Sequence, residues 1–267
     1  MKEYYVIKML QYTYMIYMRK TLLCLLLLIS ISASADATTT MSTSTQDILT
    51  VATSAPTITF STVYQDVKLK IPIYKQTYVN SCEAASLRMA LAFKKVLKNE
   101  IQILTKFGYN PTYKDWVKNI WDDPQKQYVG YVDIEGKPYG GYGVYGLPVA
   151  SAIKSFGLNA EYATSTAITP SFLANAIDKK NPVVIWGYSS YTDLPYTWNT
   201  PQGVEVKAFR GEHVRLLVGF KGSVINPVGF YVHDPLSVKN YEYWTSEKLM
   251  ENINKVPGVT DQAVVVK

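Results

Sequence analysis

Apolar and polar positions change rhythm along this chain. Near the N-terminus an apolar run, residues 22–31, interrupted only by Ser30, stands between basic and small residues. Further on, Val67-Lys68-Leu69-Lys70-Ile71-Pro72-Ile73 alternates apolar and polar positions and contains a proline, which predicts an edge strand. Ala85, Leu87, Met89, Leu91, Ala92, Val96 and Leu97 then predict a largely buried helix, with Asn80 or Ser81 as N-cap. Residues 100–107 read as a short helix capped by Asn99. Residues 109–146, rich in Tyr, Gly, Pro and Trp, read as mostly loop. Residues 147–156, stopped by Gly157, and 171–179 read as helices. The period then shortens: 182–187, 214–220 and 229–233 are apolar or aromatic runs bounded by Gly, Pro and Asn, which suits buried strands. Helices lead and strands follow, so the expected fold is α+β, helices packed on a mostly antiparallel sheet.

Composition narrows the possibilities. Of 267 residues, 48% are hydrophobic and 18% charged, which excludes a disordered, collagen-like or multi-span membrane chain. Arg19 and Lys20 precede the apolar run and Ala33-Ser34-Ala35 follows it, the order of a secretory signal peptide. A run of ten residues is too short for a hydrocarbon core of ~30 Å, so no stable membrane span is expected. Met18 makes a better initiator for such a signal than Met1. Residues 1–35 are therefore expected to leave as a signal peptide, giving a secreted or cell-surface protein. Their loss removes four basic residues and Glu3 and lowers the net charge from +6 to +3. That remainder forms no basic stripe, so no nucleic-acid partner is expected. Residues 36–62 are Ser/Thr-rich and read as a linker; residues 63–267 read as one domain, expected to be monomeric.

The cysteine count carries the most chemistry. Cys24 falls in the apolar run, which leaves Cys82 alone in the mature chain without a disulfide partner. A lone buried thiol can simply fill a core. Cys82, however, opens a helix, where the dipole and unpaired N–H groups favour thiolate, the nucleophilic form. Gln76, six residues upstream, could donate to an oxyanion from its side-chain amide. Only two histidines exist. His213 begins an apolar strand beside Gly211-Glu212, and Asp234 ends another before Pro235. Two neighbouring antiparallel strands would join them as a Cys–His–Asp set, although Asp234 could instead merely open a turn. His233, adjacent to Asp234, should face the other way by strand alternation.

On these residues the chain resembles papain-like cysteine peptidases. It is most similar to the bacteriocin leader-processing peptidases (family thirty-nine of the cysteine peptidases) and their stand-alone secreted relatives. Gln76 followed by Cys82-Glu83-Ala84-Ala85-Ser86-Leu87-Arg88-Met89 carries the resemblance, with Trp121-Asp122-Asp123-Pro124 and Tyr128-Val129-Gly130. So do Gly141-Tyr142-Gly143-Val144-Tyr145, Gly211-Glu212-His213, Val218-Gly219-Phe220 and Val232-His233-Asp234-Pro235. It spans residues 67–250 and implies a papain-like domain cleaving a peptide or protein substrate. Gln76 would then be the oxyanion donor, Cys82 the nucleophile, His213 the base and Asp234 its orienting acid. Unlike the transporter-linked members, the chain has no phosphate-binding loop, so cleavage coupled to export is not expected.

Two other readings fail on spacing. Gly141-Tyr142-Gly143-Val144-Tyr145-Gly146 satisfies G-x-G-x-x-G, but Pro138 precedes it and Pro148 follows, where a dinucleotide site needs a strand and then a helix. One cysteine and two distant histidines make no zinc cage, so neither metal nor cofactor is expected. Acyl transfer to an amine, or a catalytically idle binding module, would use the same residues.

Overall fold

The computed structural model describes residues 62–133, 140–189 and 195–267. The signal segment 1–35 and all but the last residue of the linker lie outside the described residues.

Strand β1 (Gln65–Lys68) is followed by helix α1 (Cys82–Phe93) and helix α2 (Glu100–Lys106). The expected strand at 67–73 is shorter: pairing ends with the Leu69 N–H on the Val218 carbonyl, and Pro72 has no donor to extend it. Helix α1 is buried on nearly every side, as its sequence suggested. It stops before Val96 and Leu97. Lys95 turns left-handed at φ 66°, its N–H bonds Ala92 and the Val96 N–H bonds Leu91, a Schellman closure built without glycine. Helix α2 starts as expected: Asn99 accepts from the Gln102 N–H and Gln102 returns the bond, a complete capping box.

The loop region holds a two-stranded pair, β2 (Val129–Gly130) and β3 (Gly141–Gly143). Helix α3 (Gly146–Ser155), strand β4 (Ala160–Thr164), helix α4 (Pro170–Asp178) and strand β5 (Val183–Tyr188) come next. Thr169 caps α4 through the Phe172 N–H. A separate hairpin, β6 (Pro195–Asn199) with β7 (Glu205–Phe209), precedes β8 (Glu212–Gly222), β9 (Pro227–Asp234) and β10 (Lys239–Thr245). Helix α5 (Ser246–Ile253) and β11 (Gln262–Val266) close the chain.

The main sheet runs β10-β9-β8-β5-β11-β4, antiparallel throughout. Strand β8 is its spine, pairing β5 along its first half and β1 along its last turn of register. Gly219 permits the second contact, because a Cβ there would sit 2.3 Å from the Val67 carbonyl oxygen. Apolar runs expected at 182–187, 214–220 and 229–233 are the central strands β5, β8 and β9, predominantly apolar because helices α1 and α5 pack on them. Among the described residues no helix is long and apolar enough to cross a membrane.

Candidate active site

The site forms where the start of α1 meets the start of β8. Helix α1 packs against β8 and β5, which carries Cys82 to the strand that begins with Glu212 and His213. The approach loop is fixed at both ends. The Gln76 N–H bonds the Pro235 carbonyl at 2.9 Å, tying it to the turn after Asp234. Buried Glu100, on α2, accepts from the Thr77 N–H and hydroxyl and from Ser81 Oγ, and faces Arg88 at 3.6 Å. Ser81 therefore occupies the N-cap position of α1 without capping it, since its hydroxyl serves Glu100.

His213 and Asp234 meet as the strand argument required. His213 Nε2 lies 2.9 Å from Asp234 Oδ1, and both are buried. Pairing at Nε2 leaves Nδ1 as the ring nitrogen for proton exchange. Two residues along β8, and so on the same face, Arg215 donates its Nε to Asp234 Oδ2 at 3.0 Å and Nη1 to the Tyr188 carbonyl at 3.1 Å. The N–H groups of Leu236 and Ser237 complete the shell of Oδ1. Burial alone would raise the Asp234 pKa, but His213, Arg215 and the Leu236 N–H outweigh it and hold the carboxyl far below its usual range. Burial lowers the His213 pKa, with Asp234 pulling the other way. His233 is buried edge-on to Tyr241, ring centroids 4.7 Å apart, and burial takes its pKa down to about 4, partly offset by Asn240.

Cys82 sits in different surroundings. Its Sγ donates to Glu83 Oε2 at 3.4 Å, and the backbone of Val214, next to His213, pulls the thiol's pKa down. Glu83 Oε1 accepts the Val144 N–H at 2.8 Å. Gly143, at φ 127°, makes room for that carboxylate, since a Cβ would fall 2.2 Å from Oε1. Glu212 closes the cluster: ligand atoms of Cys82, Glu83 and Glu212 all lie within 4.8 Å of one another. Glu212 Oε1 is buried with no hydrogen-bond partner.

Three acids crowded together suppress one another's ionisation. Burial raises the Glu83 pKa to about 7, against the pull of the N–H groups and the thiol. Burial and then Glu83 raise Glu212 well above the carboxylate range, with Arg215 opposing. Burial, then Glu83 and Glu212, push the Cys82 thiol well above its usual value; the Val214 N–H only moderates this. The expected thiolate at the helix start is thus overturned. A helix terminus contributes ~0.3–1 kcal/mol, less than burying an anion beside two carboxyls costs. Cys82, Glu83 and Glu212 form the one candidate metal-holding group found among the described residues, and an ion there would have to displace protons from all three.

Gln76, on the loop before α1, is buried. Its amide nitrogen donates to the carbonyls of Tyr78 (2.9 Å) and Val79 (2.7 Å), while its Oε1 has no partner. Sequence reasoning missed Glu83, Glu100, Glu212 and Arg215 as working parts. A signal existed for three of them: Glu83 and Arg215 are lone charges inside apolar runs, and Glu212 directly precedes the candidate base.

A family model described as the Peptidase_C39 like family matches residues 68–256. No curated protein matches the chain. Among solved structures, one described as a C39-like peptidase from Bacillus anthracis is 22% identical with a TM-score of 0.62, over 76% of this chain and 98% of that one. A double-glycine-motif protease from an AMS/PCAT transporter, solved with the leader peptide, is 17% identical with a TM-score of 0.40, over 76% and 98%. The peptidase domain of Streptococcus ComA is 11% identical with a TM-score of 0.42, over 73% and 96%. The first of these matches the α+β arrangement of helices on an antiparallel sheet.

Proposed function

The chain belongs to the Peptidase_C39-like family and is a cysteine peptidase, and from that premise we propose that it cleaves peptide bonds through Cys82, His213 and Asp234. His213 Nδ1 takes the Cys82 proton as sulfur attacks the scissile carbonyl, and later returns it to the leaving amine. Asp234 fixes the ring through Nε2 and stabilises the imidazolium that forms. The observation that carries the reading is the 2.9 Å His213–Asp234 contact, braced by Arg215, at the start of the strand against which the Cys82 helix packs.

Gln76 and the Cys82 backbone N–H are the proposed oxyanion donors. The Gln76 amide is held by carbonyls of its own loop, and one of these two bonds has to yield to the oxyanion in the transition state. The resting thiol is neutral, so proton transfer to His213 accompanies attack rather than preceding it. Residues 1–35 support export, with cleavage after Ala35.

The test is a peptide-library digest with mass-spectrometric readout. Wild type should cut defined bonds, and Cys82→Ala and His213→Ala should each lose at least ~10³-fold in rate. Unchanged cutting by a folded Cys82→Ala would refute the assignment. N-terminal sequencing of the exported protein should begin at Asp36; a chain retaining residues 22–31 would count against a cleaved signal.

A further inference from the structure

A cleft of about 780 Å³ opens beside the proposed catalytic residues. Val79 and Asn80, just before the nucleophile, form one part of its wall, and Gly211 and Glu212, just before the base, form another. Its lining also carries two cations, Lys114 and Arg210. Lys114 is 6% exposed, and its Nζ lies against aromatic faces: Trp116 at 4.5 Å, with Tyr196 and Trp198 each at 5.6 Å. The Arg210 guanidinium lies 5.9 Å from the centre of the same Tyr196 ring. Among the described residues, no carboxylate comes within ion-pair distance of either cation.

Buried amines without an anion are costly, and two cations sharing one ring also repel. Burial, then Arg210, accordingly lowers the Lys114 pKa. Glu212 is the acidic side chain on the wall; burial and Glu83 raise its pKa well above the carboxylate range, which weakens it as a counter-charge, and it makes no ion pair with either cation. A neutral or aromatic occupant would fill the space and leave the amine without its bond; a carboxylate relieves both the burial and the repulsion.

We propose that this cleft is a substrate subsite for an acidic side chain, Asp or Glu, with Lys114 and Arg210 as the specificity-determining cations. Resting on the peptidase reading above, the acidic residue lies within a few positions of the scissile bond, because the cleft wall adjoins both catalytic segments and the chain advances ~3.3–3.6 Å per residue. Trp116, about half exposed, and Tyr196 supply the faces along which the rest of that side chain packs.

The experiment uses the full chain with internally quenched peptides that differ only in Glu against Gln, scanned across positions flanking the cleaved bond. At one position Glu should be favoured in kcat/KM by about 10- to 100-fold, the value of a charge-assisted hydrogen bond in a partly dry site. The preference should shrink with added salt. Arg210→Glu, at an exposed position that tolerates substitution, should move it from Glu towards Lys. Lys114→Gln with Arg210→Gln should abolish it while circular dichroism stays that of wild type. Cys82→Ala, titrated with the same peptides by tryptophan fluorescence, separates the subsite from the chemistry. Tighter binding of the Glu peptide upholds the subsite even where nothing is cut; equal binding of Glu and Gln peptides overturns it even where cleavage is fast. A preference that survives in Arg210→Glu overturns it too. Stronger selection for a free C-terminal carboxylate over an internal Glu would overturn the side-chain assignment.

Discussion

The two halves of the proposed catalytic set are built on opposite electrostatic plans. Around Asp234 every charge has a partner: His213 on one oxygen, Arg215 on the other, and two backbone N–H groups behind. Around Cys82 three acids face each other with a single backbone bond to Glu83, and one Glu212 oxygen has no partner. The first half is rigid and satisfied. In the second, burial and crowding raise all three pKa values, so the nucleophile is stored as a thiol. Pairing suits the half that must keep one geometry; crowding suits the half whose charge has to appear only during reaction.

Breaking the satisfied half has the largest expected effect. Asp234→Ala should lower kcat by roughly 10- to 10³-fold, since the imidazole loses its tautomer lock and the imidazolium its counter-charge. It also leaves Arg215 buried beside a vacancy. His233→Ala should keep most activity, with any loss tracking stability, because that ring packs on Tyr241 rather than on the pair. A dead, folded His233→Ala beside an active Asp234→Ala would move the orienting role to His233. Arg215→Met tests the bracing separately. Removing one partner of a buried pair costs ~3–5 kcal/mol, so urea unfolding should register a clear loss. Because the Asp234 pKa is depressed in the fold, its stabilisation is present above the usual carboxylate range and fades as pH falls through the folded value. Arg215→Met should show a smaller loss of stability on acidification than wild type.

How much of this could be read from the sequence follows the same division. Strands β5, β8 and β9 were legible because both their faces are buried, which leaves nearly continuous apolar runs. His213 and Asp234 followed from adjacent strands. Strands β4 and β10 and the hairpin β6–β7 lie at an edge or outside the main sheet, alternate with Lys, Glu and Tyr, and leave no such run. The end of α1 was missed because a lysine occupies the left-handed position where glycine is the usual marker. The thiol's state was misjudged for a different reason. A helix start is visible in one segment, whereas the carboxyls that oppose it come from Glu83 and from Glu212, 129 positions further on. Local signals name the residues; only the tertiary meeting sets their charge.

Releasing the crowded half should change pH dependence more than maximal rate. Glu83 ionises near pH 7, and its charge then opposes thiolate formation, so kcat/KM in wild type should decline above neutrality. On the acid side, His213 has to be neutral, and its lowered pKa extends activity below the usual histidine range. Glu83→Gln keeps an acceptor for the Val144 N–H and removes the charge. It should extend the plateau to higher pH and speed iodoacetamide alkylation of Cys82 about 10-fold near pH 8, one pKa unit of relief. Its stability signature is also signed. A carboxyl whose pKa is raised on folding favours the fold below its unfolded value and loses that advantage as pH rises through about 7. Glu83→Gln should therefore raise Tm relative to wild type near pH 8 and not near pH 4. An unchanged alkaline limb would mean that Glu83 does not govern the thiol.

The smallest effect calibrates the others. Lys95 closes the helix that carries Cys82 but touches neither half of the site. A non-glycine residue in the left-handed region costs ~1–2 kcal/mol, and glycine gives back ~0.5–1 kcal/mol through the freedom of its unfolded chain. Lys95→Gly should accordingly stabilise by only ~0.5–1 kcal/mol, which is ~1–4 °C in Tm for a domain of this size. Because the gain comes from the far end of the helix, the pH profile, the alkylation rate of Cys82 and kcat should all stay at wild-type values. Were this variant to shift the alkaline limb as Glu83→Gln does, the limb would be reporting helix stability rather than the charge beside the thiol. The contrast between the paired and the crowded halves would then lose its kinetic support.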